Sequence, residues 1–193
     1  DKLAKFKPTD RELGASSSLL LDQMIVEVFP DGSSVQEVHT VRRINDLQGV
    51  EQFENAGNAA SADEVVLLRT IGADGKSYVP NRVDDEFAMP RVQPGAFIEA
   101  IYRSFEDSPL PDPRRITTFY FQDSDAPYLR SEIVLILPKD HKSTIRPRSF
   151  PGDPKITKLE DGKTAYVYRV DDSPRLPTEY NLPPIEDLIP MLV

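Results

Sequence analysis

Apolar residues along the chain mostly alternate with polar ones or form short runs, and both patterns are typical of β-strands. No segment of three turns shows the 3.6-residue period of an amphipathic helix. The pattern predicts strands over 18–29, 34–44, 63–72, 94–105, 114–123 and 128–138, with a further hairpin over 155–172.

Three Asp-Gly pairs, in "PDGS", "ADGK" and "EDGK", separate predicted strands. Glycine tolerates the positive φ that tight hairpin turns require, so each pair predicts a turn. The chain also holds 18 prolines, which break helices. Many strands with short turns predict an all-β fold, an antiparallel β-sandwich. An immunoglobulin-like arrangement stays open, although that family's Cys and Trp core residues are missing from the sequence.

The composition changes at residue 173, where the proline-rich text "SPRLPTEYNLPPIEDLIPMLV" begins. Its apolar residues are too widely spaced for a strand. We therefore expect a β-sandwich domain over 1–172 and an extended linker over 173–193 that leads towards a domain absent from this chain. A chain of 193 residues can bury roughly 70% of its unfolded surface, so the core needs neither disulfide nor metal.

The strand "PGAFIEAIYRSF" raises the question of which face meets the core. Burying Glu99 and Arg103 would cost several kcal/mol unless both were paired. The face of Ala96, Ile98, Ala100 and Tyr102 is therefore assigned to the core. The opposite face is predicted to be an interaction surface, with the tail or a neighbouring domain as occupant and the 45–62 connection as the alternative cover. The predicted interaction residues are Phe97, Glu99, Ile101, Arg103, Phe105, Leu182, Ile185, Leu188 and Ile189.

This choice of faces carries a consequence for mutants. Because the charged face is assigned to solvent or to a partner, Glu99→Lys is expected to leave the fold of the isolated domain intact. Removal of 181–193 is likewise expected to cost under about 2 kcal/mol, as for surface packing.

The charge and the composition exclude several classes of partner. A net charge of −9 disfavours nucleic acid and anionic membranes, which attract basic surfaces. No apolar run approaches the roughly 18 residues of a membrane span, and no signal peptide is evident. With no cysteine, thiolate chemistry, disulfides and Cys-based zinc sites are excluded.

The remaining chemistry gives no candidate site. The two histidines, His39 and His141, lie in different predicted elements without ligand spacing. No nucleophile elbow or phosphate-binding loop is present. Acidic pairs recur, but they lack the pattern of a calcium loop and are interpreted as solvated strand ends. Phe119 and Phe121 are assigned to the core. We therefore predict no catalytic, cofactor-binding or metal-binding residue, and a chain that is not itself an enzyme.

Four segments together carry a resemblance to a known family: "VRRINDLQGVEQF", "EVVLLRTIGADGKSYVP", "PRVQPGAFIEAIYR" and "FYFQDSDAPYLRSEIVLILP". From about residue 19 to 190 the chain resembles the bacterial domain of unknown function that lies N-terminal to transglutaminase-like domains. The exit "LPTEYNLPPIEDLIPMLV" is similar to the segment that enters the transglutaminase-like domain. The last strand departs from the family pattern, since Tyr166 or Tyr168 stands where a tryptophan is expected.

The resemblance implies a non-catalytic β-sandwich that acts as an accessory domain. Its partner would be a downstream transglutaminase-like, papain-like domain in the same polypeptide, and its location would be the periplasm or the cell exterior. The alternative is a stand-alone carbohydrate- or peptide-binding module, and a carboxylate-based hydrolase is a more distant third. An aromatic platform would favour the second class, and paired carboxylates in a cleft would favour the third.

Overall fold

A computed structural model of the chain describes residues 6–9, 13–55, 62–83, 86–107, 117–140, 145–176, 183–184 and 188–192. Its elements in chain order are β1 (Ser17–Val28), β2 (Ser34–Ile44), α1 (Leu47–Phe53), β3 (Glu64–Ile71), β4 (Ser77–Tyr78), β5 (Asn81–Val83), β6 (Glu86–Ala88), β7 (Phe97–Glu106), β8 (Phe119–Tyr120), β9 (Tyr128–Leu137), β10 (Pro147–Arg148), β11 (Lys155–Lys158), β12 (Thr164–Ser173) and β13 (Met191–Leu192). The predicted all-β class is confirmed.

A large sheet of eight strands organises the fold, in the order β11-β12-β9-β1-β2-β7-β3-β4. Its strand pairs are antiparallel except for β1 and β9, which run parallel. A three-stranded sheet, β10-β13-β8, and a two-stranded sheet, β5-β6, complete the described strands. Because a parallel pair needs a long crossover, β1 and β9 join segments that are far apart in the chain.

The core lies on one face of the large sheet, which we call the covered face. At one end, β1, β9 and β12 pack beneath the three-stranded sheet; this cluster holds Val26, Phe119, Phe121, Ile133, Leu135, Leu137, Tyr168 and Leu192. At the other end, Ala100 of β7 packs with Leu68 and Met89. Phe119 and Phe121 are both buried, so their assignment to the core is confirmed.

The three Asp-Gly turns share one construction. Gly32, Gly75 and Gly162 all have φ between 76° and 89°, in the left-handed region that glycine favours. The aspartate before each glycine accepts a hydrogen bond from the backbone N–H two residues after itself, as Asp31 does from Ser33 at 3.0 Å. These turns connect β1 to β2, β3 to β4 and β11 to β12, as the sequence predicts.

The described end of the tail differs from the expected linker. Met191 and Leu192 form β13, which pairs with β8 on one side and β10 on the other. Ile189, Met191 and Leu192 are each at most 3% exposed. These apolar side chains are buried because they complete the core beneath the three-stranded sheet. Residues 188–192 therefore pack on the domain itself. Leu182 and Ile185 lie outside the described residues.

The expectation that loss of the tail costs little is therefore revised. Leu192→Ala removes a side chain from the largest core cluster and should lower the free energy of unfolding by about 2–5 kcal/mol. Urea denaturation measures the change. Leu188→Ala is the matched control, because Leu188 is 38% exposed and should lose less than about 1 kcal/mol. Equal effects from the two variants would contradict the assignment of β13 to the core.

Candidate functional site

The predicted interaction strand is β7, and its two faces divide largely as expected. Ile98, Ala100 and Tyr102 pack in the core cluster with Leu68 and Met89. The other face of the large sheet, which we call the open face, carries Glu99, Ile101, Arg103 and Phe105. None of the hydrophobic clusters formed by the described residues lies on this face.

Glu99 lies at the centre of an ion-pair cluster on the open face. Arg69 of β3 donates from Nε to its Oε2 at 2.8 Å, and Arg69 Nη2 lies 2.6 Å from the same oxygen. His39 of β2 approaches the second carboxylate oxygen at 3.0 Å from the other side. The Glu99 side chain is only 13% exposed. The cluster therefore ties three adjacent strands together and is not freely available to a partner.

Arg103 forms a second, more exposed cluster further along β7. It donates from Nε to Glu37 of β2 at 2.7 Å and from Nη1 to Glu64 of β3 at 3.3 Å. Ile101 lies between the two clusters and is partly buried, opposite His39 and Leu67. Glu99 and Arg103 thus each have cross-strand partners, as residues four apart on one strand require.

The remaining predicted interaction residues have different environments. Phe105 is 55% exposed at the end of β7, which suits a contact surface. Phe97 and Ile189 are buried, so these two predictions are wrong: their apolar side chains gain more by leaving water inside the domain. Leu188 is exposed. The described part of the 45–62 connection includes Phe53, which contacts Arg42 on the covered face.

A cleft that the sequence pattern does not predict lies between the large sheet and the three-stranded sheet. Its volume is about 350 Å³, and its lining residues come from β1, from the β8 segment and from the start of β9: Asp22, Thr118, Phe119, Tyr120, Gln122, Asp123 and Tyr128. Carboxyl, phenol and amide groups converge here from segments far apart in the chain. Only their assembly in the folded sheet makes them neighbours.

Asp22 is the most unusual group in the cleft. Its carboxylate accepts a hydrogen bond from Ser131 Oγ at 3.2 Å. Burial raises the pKa of Asp22 from 3.8 to about 6, although the Ser131 bond and the nearby Arg42 oppose the shift. A carboxyl in this environment changes charge near physiological pH, which is common at functional sites.

Two further buried groups accompany Asp22. Tyr128 is 9% exposed, and burial raises the pKa of its phenol, with a smaller contribution from Asp22. Arg42 donates from Nη1 to Ser17 Oγ at 2.8 Å and lies 4.4 Å from the Phe53 ring centroid. Burial lowers the pKa of Arg42, while Tyr128, Asp22 and Asp123 counteract this. These contacts fix the guanidinium behind the cleft.

The described residues contain no group of three His, Cys, Asp or Glu side chains that could hold a metal ion. They also contain no helix long and apolar enough to span a bilayer.

Comparison with solved structures places the fold beside part of a larger protein. The chain is similar to a candidate protease from Parabacteroides distasonis, with a TM-score of 0.72 and 13% sequence identity. The match covers 92% of this chain and 39% of that one. At this identity the similarity is one of fold alone. No family model and no curated protein matches the sequence.

A second solved structure, Legionella pneumophila aminopeptidase A in complex with aspartic acid, matches with a TM-score of 0.48 and 10% identity. That match covers 98% of this chain and 22% of the larger one. The chain therefore spans well under half the length of both proteins. In the P. distasonis protein, the same fold is joined to further structure.

The Glu99 cluster changes the expected result of charge reversal. Glu99→Lys would replace the carboxylate by a cation beside Arg69 and remove the acceptor of His39 in a poorly solvated position, so we expect a loss of about 2–3 kcal/mol of unfolding free energy. Glu64→Lys is the control, because its pair with Arg103 is exposed and should contribute less than about 1 kcal/mol. Chemical denaturation of both variants tests this, and a Glu99→Lys protein as stable as the parent would refute it.

Asp22 generates a pH-dependent prediction. Between pH 3.8 and about 6 the folded protein holds a proton that the unfolded chain has lost, so stability falls as pH rises through this window. Above this window the ionised carboxyl lowers the free energy of unfolding by on the order of 3 kcal/mol. Asp22→Asn should raise the free energy of unfolding at neutral pH by about 1–3 kcal/mol, with the gain disappearing near pH 4. Denaturant titrations across this range measure it.

Glu51→Gln is the control for Asp22→Asn, since it makes the same chemical change at an exposed position of α1. Its effect should be small at every pH. A loss of stability on Asp22→Asn at neutral pH would contradict this prediction, because the ionised carboxylate would then be a net stabilising group.

Proposed function

We propose that this chain is a non-catalytic accessory domain, which positions or recognises a substrate or partner for an adjacent transglutaminase-like, papain-like domain in the same polypeptide. The proposal rests on the arrangement of side chains on the open face of the large sheet. Its charges are paired across strands, and Ile101 and the exposed Phe105 lie among them. Paired charges around apolar side chains resemble the polar rim and apolar centre of an inter-domain interface.

The fold comparison supports a neighbouring domain of the same polypeptide as the partner of the open face. In the candidate protease from P. distasonis, a fold similar to this chain makes up 39% of a longer chain. An accessory role there would leave the chemistry to the remaining part of the polypeptide. By the resemblance of its sequence, the present chain would work in the periplasm or outside the cell.

A stand-alone glycan-binding module is the less favoured alternative. Flat aromatic platforms carry the affinity of β-domains for sugars. Among the described residues, the exposed aromatic rings are Phe29 directly after β1, Phe105 near the end of β7, and Tyr120 in β8 of the other sheet. A single ring such as Tyr120 gives little stacking area, so the open face is the better-supported functional surface.

Footprinting tests the proposal. Hydroxyl-radical or carbene labelling should modify Phe105 readily in the isolated chain and several-fold less in the polypeptide that carries the downstream domain, because docking excludes the reagent. The control is Ile156 on β11, which is 57% exposed and pairs with Tyr166 on the covered side. It should be labelled equally in the isolated chain and in the longer polypeptide. Mass spectrometry quantifies both residues.

A variant makes the same test from the other direction. Phe105→Glu should change the stability of the isolated chain by less than about 0.5 kcal/mol, as for an exposed position. In the longer polypeptide it should restore labelling of the open face and lower activity of the downstream domain. Unchanged labelling of Phe105 between the two proteins would overturn the proposed docking face.

A further inference from the structure

We propose that the cleft between the large sheet and the three-stranded sheet binds a cationic side chain or amine, with the Asp22 carboxylate as its counter-charge and the Tyr128 hydroxyl as a hydrogen-bond acceptor. This site is separate from the open face. It is formed by the covered side of β1, the β8 segment and the start of β9.

The size of the cleft limits the ligand. A volume of about 350 Å³ is near the lower end of the range for small-molecule pockets, roughly 300–1,000 Å³. It accommodates one extended side chain or a short polyamine, and it is too small for a folded partner. Phe119 and Tyr120 supply apolar walls for the methylene groups of such a ligand.

The charges around the cleft select a cation. Asp22 and Asp123 line the cleft, and Asp125 is close enough to act electrostatically on Arg42 and Tyr128. Arg42 offsets this negative charge only in part, since it is one cation beside three carboxylates. An anion would face two carboxylates in the lining and a third nearby, whereas an ammonium or guanidinium group would meet a complementary field.

Unused hydrogen-bonding capacity points to the same ligand. Tyr128 is about nine-tenths buried and lines the cleft, yet its hydroxyl forms no hydrogen bond with the described residues. Asp22 receives one hydrogen bond, from Ser131, although a carboxylate can accept several. Both side chains line the cleft, so their free acceptor sites are positioned to receive donors from a ligand.

The free-energy cost of ionising the Asp22 carboxyl is consistent with a binding role. A neutral asparagine would avoid the cost of ionising a buried carboxyl, and a ligand cation would offset that cost. Residues retained at the expense of stability are typical of functional sites. Ser131, Arg42, Asp123, Tyr102 and Tyr128 surround or act on the carboxylate, and of these groups only Arg42 already favours its ionised form by charge.

Titration of the isotope-labelled chain by NMR tests the site. The probes are Nα-acetyl-lysine methylamide, spermidine and Nα-acetyl-norleucine methylamide, an uncharged analogue of the first that lacks the ammonium group. We expect saturable shifts of the amides of 118–123 and 128, with a Kd on the order of 1 mM for a cation and no saturation by the norleucine compound up to about 20 mM. Tighter binding of the lysine compound identifies a peptide side chain, and tighter binding of spermidine identifies a free polyamine.

Two variants and one control make the test specific. Asp22→Asn, which should fold, and Tyr128→Phe, which removes only the hydroxyl, should each weaken cation binding by about tenfold or more. Asp153→Asn, at an exposed position away from the cleft, should leave it unchanged. Affinity for the parent should also rise as pH increases through about 6, because Asp22 then ionises while the amine stays charged.

Three results would overturn the proposal: no saturable shift with either cation, equal binding of the norleucine compound, or cation affinity that Asp22→Asn does not change. Each of these results leaves the proposed docking role of the open face untouched. Conversely, failure of the footprinting test would not affect the cleft.

Discussion

Within the part of the chain that the structure describes, the large sheet receives its apolar cover on one face, and this constraint governs where charged side chains such as Glu99 and Arg103 can lie. On the covered face, Val26, Ile133 and Tyr168 can pack beneath the three-stranded sheet. On the open face, side chains have to be satisfied by their neighbours across the strands. The Glu99 and Arg103 clusters meet that requirement, because each of these two residues pairs with residues of both β2 and β3.

The same constraint explains why one acidic residue on the covered face is exceptional. Asp22 belongs to the side of β1 that also carries Val26 and Val28 in the core. It is tolerated there because the cover is incomplete at this position, where the cleft admits solvent. The gap in the cover and the buried carboxyl are thus two aspects of one local arrangement, and both argue for a ligand.

The sequence predicts features that depend on neighbouring residues along the chain, and it does not predict those that depend on contacts between distant strands. The period of two along β7 places Ala100 in the core and Glu99 on the other side, because parity is a local property of a strand. The partners of Glu99 depend on the register of β2 and β3, which no local pattern specifies. Asp22 and Tyr128 meet only through the parallel pairing of β1 with β9, and the tail rejoins the core through two residues, too short a stretch for strand periodicity to reveal.

The position of β13 has a consequence for synthesis of the chain. Leu192 fills the cluster that holds Phe119 and Phe121, and its strand joins β8 to β10, so the three-stranded sheet cannot form until residues 191–192 have left the ribosome. At about 5–20 residues per second, the apolar side of β1 waits many seconds for its final cover. During that interval the nascent domain exposes apolar strand surfaces, and a chaperone or the immediate emergence of a neighbouring domain would protect it from aggregation.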